Sequence, residues 1–182
     1  VEGRQDKSRL PLLLKKYYSE VCSEDGTLTR VAIITTNSCT NIKTYANLKY
    51  INKLYLKDQF LMIRDGDGKD REQLARQLCR YYEDRGQQDI DRLPRVTRRN
   101  VLILKYYSFE NYFLNPKIMA DLGIVESEQA FYEILFEKWQ EYLHRLNCGK
   151  HFTEVTGAVI TCPQDLADHM EDFKIYMRGH NL

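Results

Sequence analysis

The sequence predicts an α/β domain, a mostly parallel sheet flanked by helices, with a helical C-terminal extension. Three observations predict it. Short apolar runs at residues 30–35, 59–64 and 101–104 alternate with stretches whose apolar residues recur at helical spacing. One of these runs ends directly on Asp65-Gly66-Asp67-Gly68, and strand ends are where open α/β sheets hold ligands. After Phe109 the character changes towards helix, and residues 1–125 read as the core with 126–182 as a helical part of the same domain.

Each element has its own reason. From Lys7 to Cys22, apolar residues Leu10, Leu13, Leu14, Tyr17, Tyr18 and Val21 share a helical face, and Glu24-Asp25-Gly26 ends it. Arg30-Val31-Ala32-Ile33-Ile34-Thr35 is β-branched and reads as a buried strand. Residues 41–56 read as a helix through Ile42, Tyr45, Leu48, Ile51 and Tyr55. Residues 59–64 form the strand before the acidic motif, and residues 71–84 the helix after it. A polar, basic loop spans 86–100, and residues 101–104 form the next strand. Gln129 to Leu146 is a long aromatic amphipathic helix that reads as core packing, with a dimer surface as the other reading. Pro163 opens a shorter helix.

Composition sets the limits. A chain of 182 residues can bury a core of its own. Its 43% hydrophobic and 29% charged residues fit a globular domain. A net charge of +1 means that any affinity for nucleic acid comes from local patches. No apolar run nears the roughly 20 residues of a membrane span, and no signal-peptide pattern opens the chain. The five cysteines are scattered without a C-x-x-C pair, which disfavours structural zinc and fits reduced thiols in a cytosol. The start at Val1 and the end at Leu182 read as those of a segment from a longer protein.

The chemistry centres on carboxylates. Asp65 and Asp67 end a strand, and the glycines beside them allow a sharp turn. Two close carboxylates repel unless a cation lies between them, and hard oxygen donors suit Mg²⁺ or Mn²⁺. An ordinary Asp-Gly turn fits the same letters. Asp70 reads as an acid in the first turn of the next helix. Glu2 and Asp6 lie four apart at a strand-to-helix junction. Glu110, in Glu110-Asn111-Tyr112, follows a strand, and Gly149-Lys150 comes late. In the plainer reading Tyr112, Phe113 and Leu114 are core, Asn115-Pro116 is a helix boundary and Glu110 is surface charge. Gly149-Lys150 is no phosphate-binding P-loop, since no Gly-x-x-x-x-Gly frames it, and the chain contains no Walker A motif. Arg92, Arg95, Arg98 and Arg99 cluster in the basic loop and could hold nucleic-acid phosphates. Lys49, Lys53 and Lys57 read better as a solvated helix face. The four histidines lack metal-ligand spacing, and His151 reads as non-catalytic.

The order Glu2-Gly3 with Asp6, then Asp65-x-Asp67 after an apolar strand, then Glu110-Asn111-Tyr112, then Gly149-Lys150 resembles the Toprim domain of OLD-family (overcoming lysogenization defect) nucleases, over residues 1 to about 155. The resemblance implies a Toprim, Rossmann-like fold with its first strand truncated here, following an ABC-type ATPase domain. It implies a Mg²⁺- or Mn²⁺-dependent endonuclease that hydrolyses DNA with two ions, held by Glu2, Asp6, Asp65, Asp67 and Glu110. Glu2 and Asp65 would be catalytic, Glu2 as general acid or base, and Lys150 would place positive charge near the phosphate. It further implies a cytoplasmic bacterial protein, a homo-oligomer serving defence against phage. A Toprim RNase acting on RNA or tRNA is the alternative, as is a non-catalytic module that binds nucleic acid or a partner. A topoisomerase would need a catalytic tyrosine, and the 13 tyrosines carry no signature for one. Many Toprim proteins have Asp-x-Asp-x-Gly, whereas here Gly68 directly follows Asp67.

Overall fold

Helix and strand are mixed in the structure, a computed structural model that describes residues 1, 4–25, 27–28, 31–36, 60–88 and 95–181, with backbone alone for 4–6, 85 and 181. The chain divides into two compact units, Val1–Arg64 with Glu72–Ile103, and Asp65–Arg71 with Leu104–Leu182.

In the first unit, α1 (Arg4–Tyr17) contains Pro11 at its eighth position. It starts and stops earlier than the periodicity from Lys7 to Cys22 predicts, and a short 3₁₀ turn, Ser19–Val21, replaces its last turn. Strand β1 (Met62–Arg64) pairs in parallel with β2 (Val101–Ile103), with Ile63 opposite Leu102. Both are shorter than the apolar runs that predict them. Between them in the chain lies α2 (Arg71–Gln88), whose first residue belongs to the other unit. Its buried Leu74, Ala75, Leu78 and Tyr82 recur at helical spacing and pack with Val96, Val101 and Ile103. A parallel pair needs such a crossover, so the predicted strand–helix–strand order is borne out here.

Of the buried strand expected at 30–35, Arg30 lies outside the described residues and the rest is not assigned as strand. Residues 31–36 carry no regular structure, and Val31 and Ile34 are exposed. They still meet the chain start: Val1 N donates to the Ile34 carbonyl (2.9 Å) and Thr36 N to the Val1 carbonyl (3.0 Å). That pairing of one residue with both neighbours of Thr35 is the hydrogen-bond pattern of a parallel ladder. The helix expected at 41–56, with Lys49, Lys53 and Lys57 on or near it, lies outside the described residues.

The second unit is helical and takes in, besides residues 126–182, the segments 65–71 and 104–125 that the sequence reading placed in the core. Asn115 caps α3 (Pro116–Asp121) by accepting from Ile118 N at 3.1 Å, and Pro116 fills the first helical position. Ser127 caps α4 (Glu128–Glu141) through Ala130 N at 3.0 Å. The aromatic periodicity through Leu146 predicts one helix, but it is broken at Tyr142 (φ −152°), with a 3₁₀ turn at Leu143–Arg145 before α5 (Asn147–Thr156). Phe131, Leu135, Trp139 and Leu143 stay on one face because both pieces feed one core. Phe152 of α5 is fully buried, its ring edge-on to Trp139 (5.6 Å) and to Phe173 (5.9 Å). Asp165 accepts from Thr161 N (2.7 Å) and Cys162 N (3.0 Å) to start α6 (Pro163–Asp168). Helix α7 (Met170–Tyr176) completes the core through Phe173, followed by Met177. The aromatic helix is therefore mainly core packing.

Candidate active site

Asp65 follows the last residue of β1, and residues 65–68 fold as a tight turn within the second unit. Gly66 N donates to the Tyr106 carbonyl (3.3 Å) and Asp67 N to the Tyr107 carbonyl (2.9 Å). Lys69 N closes the turn on the Gly66 carbonyl at 3.0 Å, with Asp67 at φ 52° and Gly68 at φ 66°. Positive φ at both central residues is the mark of a type I′ turn, which favours Asp-Gly. A Cβ on Gly66 would lie 2.7 Å from the Tyr106 carbonyl oxygen and 2.8 Å from that of Leu104, so only glycine lets this backbone approach so closely. Asp67 is the one described non-glycine residue with positive φ. Aspartate enters that region more readily than most side chains, and glycine more readily still.

Asp65 and Asp67 are both half-buried. The Tyr107 phenol is pushed above its usual range by burial first and then by the charges of Asp67, Cys148 and Asp65, with Arg178 pulling the other way. The phenol therefore stays protonated at neutral pH and serves as a hydrogen-bond donor rather than a nucleophile. The Tyr107 ring packs beside Gly68, as does the backbone of Tyr176. His151 Nε2 lies 3.4 Å from the Gly68 carbonyl, and its ring stands edge-on to Tyr176 at 5.5 Å. A proton on Nε2 makes this a donor to the turn. His151, read from the sequence as non-catalytic, thus supports the acidic turn. Tyr107, Tyr176 and Arg178 carry no motif. The available signal was Tyr107's place just past the strand run at 101–104.

The other expected site residues are placed as follows. Glu2 lies outside the described residues. Asp6 sits in α1 with its side chain undescribed, and both belong to the first unit. Asp70 immediately precedes α2 and is exposed. Glu110 lies in the first turn of the 3₁₀ helix Phe109–Phe113 and is half-buried, with its Oε2 3.9 Å from His180 Nδ1. Among the described residues, no group of three or more His, Cys, Asp or Glu side chains is gathered closely enough to hold a metal ion. The five-carboxylate set runs through Glu2 and Asp6, whose side chains are not described. Lys150 lies in α5 with an exposed side chain, one residue before His151. Gly149 beside it is buried, and a Cβ there would run into the Leu143 carbonyl. Of the arginine cluster, Arg92 lies outside the described residues, and Arg95 and Arg99 are exposed. Arg98 is engaged, with Nη2 on Glu72 Oε1 (2.7 Å) and Nη1 on the Val101 carbonyl (2.7 Å).

The Glu110-Asn111-Tyr112 segment holds a structural residue at its centre. Asn111 is fully buried, its Nδ2 donating to the carbonyls of Lys174 (2.9 Å) and Met177 (2.7 Å) while its Oδ1 accepts from Ser108 Oγ (2.7 Å). This ties the segment to the end of α7 with every amide atom used. Tyr112 and Phe113, core residues in the plainer sequence reading, are exposed instead.

As a donor set, Asp65 and Asp67 fit a magnesium-like ion. Such ions bind through one or two carboxylates, keep several waters and take further oxygens from a phosphate. No protein-family model, no curated protein and no solved structure matches this chain.

Proposed function

We propose that this chain is a Toprim-like, metal-dependent endonuclease domain that hydrolyses DNA phosphodiester bonds. The observation that carries the proposal is the acidic turn, which holds half-buried Asp65 and Asp67 on a backbone pinned to the Tyr106 and Tyr107 carbonyls, with Asp67 left-handed and the Tyr107 ring beside Gly68. Asp65 and Asp67 hold Mg²⁺ or Mn²⁺, and Glu2, Asp6 and Glu110 complete a two-ion set. Bound there, the ions supply positive charge to the phosphate and make water a better nucleophile. Glu2 acts as general acid or base. The Tyr107 phenol donates a hydrogen bond to a phosphate oxygen, and Lys150 and Arg178 supply countercharge. His151 steadies the turn through the Gly68 carbonyl. Coupling to an ABC-type ATPase, assembly of several copies and a role in phage defence in the bacterial cytoplasm complete the reading. No helix among the described residues is long and apolar enough to cross a membrane.

The test is plasmid nicking by the full-length protein with Mg²⁺ or Mn²⁺, for wild type, Asp65→Ala and Glu2→Ala. Cleavage is expected with metal alone and should fall about 10²–10³-fold or more in both variants, the loss of several kcal/mol of charge stabilisation. Cleavage of RNA or tRNA but not plasmid would move the domain to the ribonuclease reading. Wild type that binds nucleic acid but cuts none would leave a binding module.

A further inference from the structure

The residues after Leu104 carry aromatic rings in unbroken contact. Tyr106 meets Tyr112 (4.6 Å between centroids), Tyr112 meets Phe109 (6.5 Å), and Phe109 meets Phe113 edge-on (5.4 Å). Two of these rings open to solvent, Tyr112 at 44% and Phe113 at 52% exposure. They are held rather than loose. Tyr112 Oη accepts from Lys105 N at 2.9 Å, and the 3₁₀ helix that carries them is anchored by the buried Asn111.

Cations flank Tyr106, at one end of the row. Lys105 Nζ lies 5.1 Å and Lys174 Nζ 4.6 Å from the centre of the Tyr106 ring. Glu171 binds both ammoniums and the Tyr106 hydroxyl, so the two lysines are held in place beside that ring. Exposed Lys117 is the second residue of α3, four residues after Phe113. The row starts at the acidic turn itself, since the Tyr106 carbonyl accepts the Gly66 N–H.

Pre-set aromatic faces beside lysines match one ligand chemistry well. Unpaired nucleotides offer a π-face to each ring and a phosphate to each cation, with no need for sequence reading. An aliphatic partner helix would use neither the cations nor the ring faces. We propose that Tyr112 and Phe113 form a stacking surface for unpaired nucleotides of the substrate, delivering a single-stranded stretch to the Asp65–Gly68 turn. The proposal rests on the nuclease reading for its biological sense but not for its test.

Fluorescence anisotropy of a labelled oligo-dT and of a blunt duplex of equal length, on the full-length protein, tests it. Phe113→Leu keeps apolar bulk without a ring, and Phe113→Trp keeps the ring. Wild type should prefer oligo-dT, Phe113→Leu should bind it about tenfold more weakly with duplex binding unchanged, and Phe113→Trp should bind like wild type; tenfold is the typical loss for one stacked base. Equal binding of oligo-dT by Phe113→Leu and wild type would overturn the proposal. So would an equal loss on oligo-dT and duplex, or a Phe113-dependent self-association seen by sedimentation. The same samples are assayed for cleavage with Mn²⁺. Ring-dependent binding without cleavage would retain the stacking surface and remove the nuclease reading, and cleavage indifferent to Phe113 would do the reverse.

Discussion

Asp65-Gly66-Asp67-Gly68 and Gly149-Lys150 look alike in sequence, each a glycine beside charge, yet they are built for different ends. At Gly66 the missing Cβ lets a turn press against the Leu104 and Tyr106 carbonyls, and the result is two half-buried carboxylates beside a protonated phenol. At Gly149 the missing Cβ lets α5 press against the Leu143 carbonyl, and the result is the fully buried Phe152 in a helical core. The charge next to Gly149 is an exposed lysine with no described contact to the turn, whereas His151 reaches it. Close approach of backbone marks both sites, and only its product separates chemistry from packing.

Alanine at each glycine breaks the comparison most sharply. Gly149→Ala and Gly66→Ala should each cost about 1–3 kcal/mol or more, because a backbone carbonyl cannot swing aside as a side chain can. Denaturant melts measure this cost. The folded fraction of Gly149→Ala should still cut, slowed by any displacement of Lys150 and His151 on the same helix, while that of Gly66→Ala should not cut. Equal cutting by both would mean that the turn is ordinary scaffold.

A smaller effect sharpens the comparison in the turn's support. Glu171 is held down to about 2 by the Lys105 ammonium, then by Lys174 and the Tyr106 hydroxyl, and so braces the segment that Gly66 and Asp67 lean on. A carboxyl lowered from its ordinary 4.5 gives stability that is fully present above that pH and is lost as the pH falls towards 2. The cluster is solvent-exposed, so screening limits it to about 0.5–1 kcal/mol. Melts at pH 6 and pH 3 should show Glu171→Gln losing less stability than wild type on acidification, by that amount. An identical loss would remove Glu171 from the brace.

Much of the helical unit was legible because its signals are local. Asn115-Pro116 and Pro163 mark helix starts by fixed geometry, and the Phe131-Leu135-Trp139 spacing marks a core face whatever it packs on. The acidic turn was legible for the same reason, since Asp-Gly after an apolar strand encodes its own backbone. The break at Tyr142 was not, because apolar spacing runs on unchanged where two helices share a core. Tyr107 and Tyr176 were not legible as site residues, because tertiary folding and not sequence spacing brings them to Gly68, whereas His151 was expected near the site only as the neighbour of Lys150. The exposed Tyr112 and Phe113 misled through composition, the buried member of their segment being the polar Asn111.

The central claim is that Asp67 endures a left-handed backbone for the sake of its carboxylate. Asp67→Gly tests it most directly, by a thermal melt and metal-dependent cleavage on the same preparation. Glycine suits φ 52° better than aspartate does, so the variant should be as stable as wild type or up to about 1 kcal/mol more stable, while cleavage is lost. Asp67→Gly that cuts like wild type would contradict the account and leave the turn a matter of folding alone.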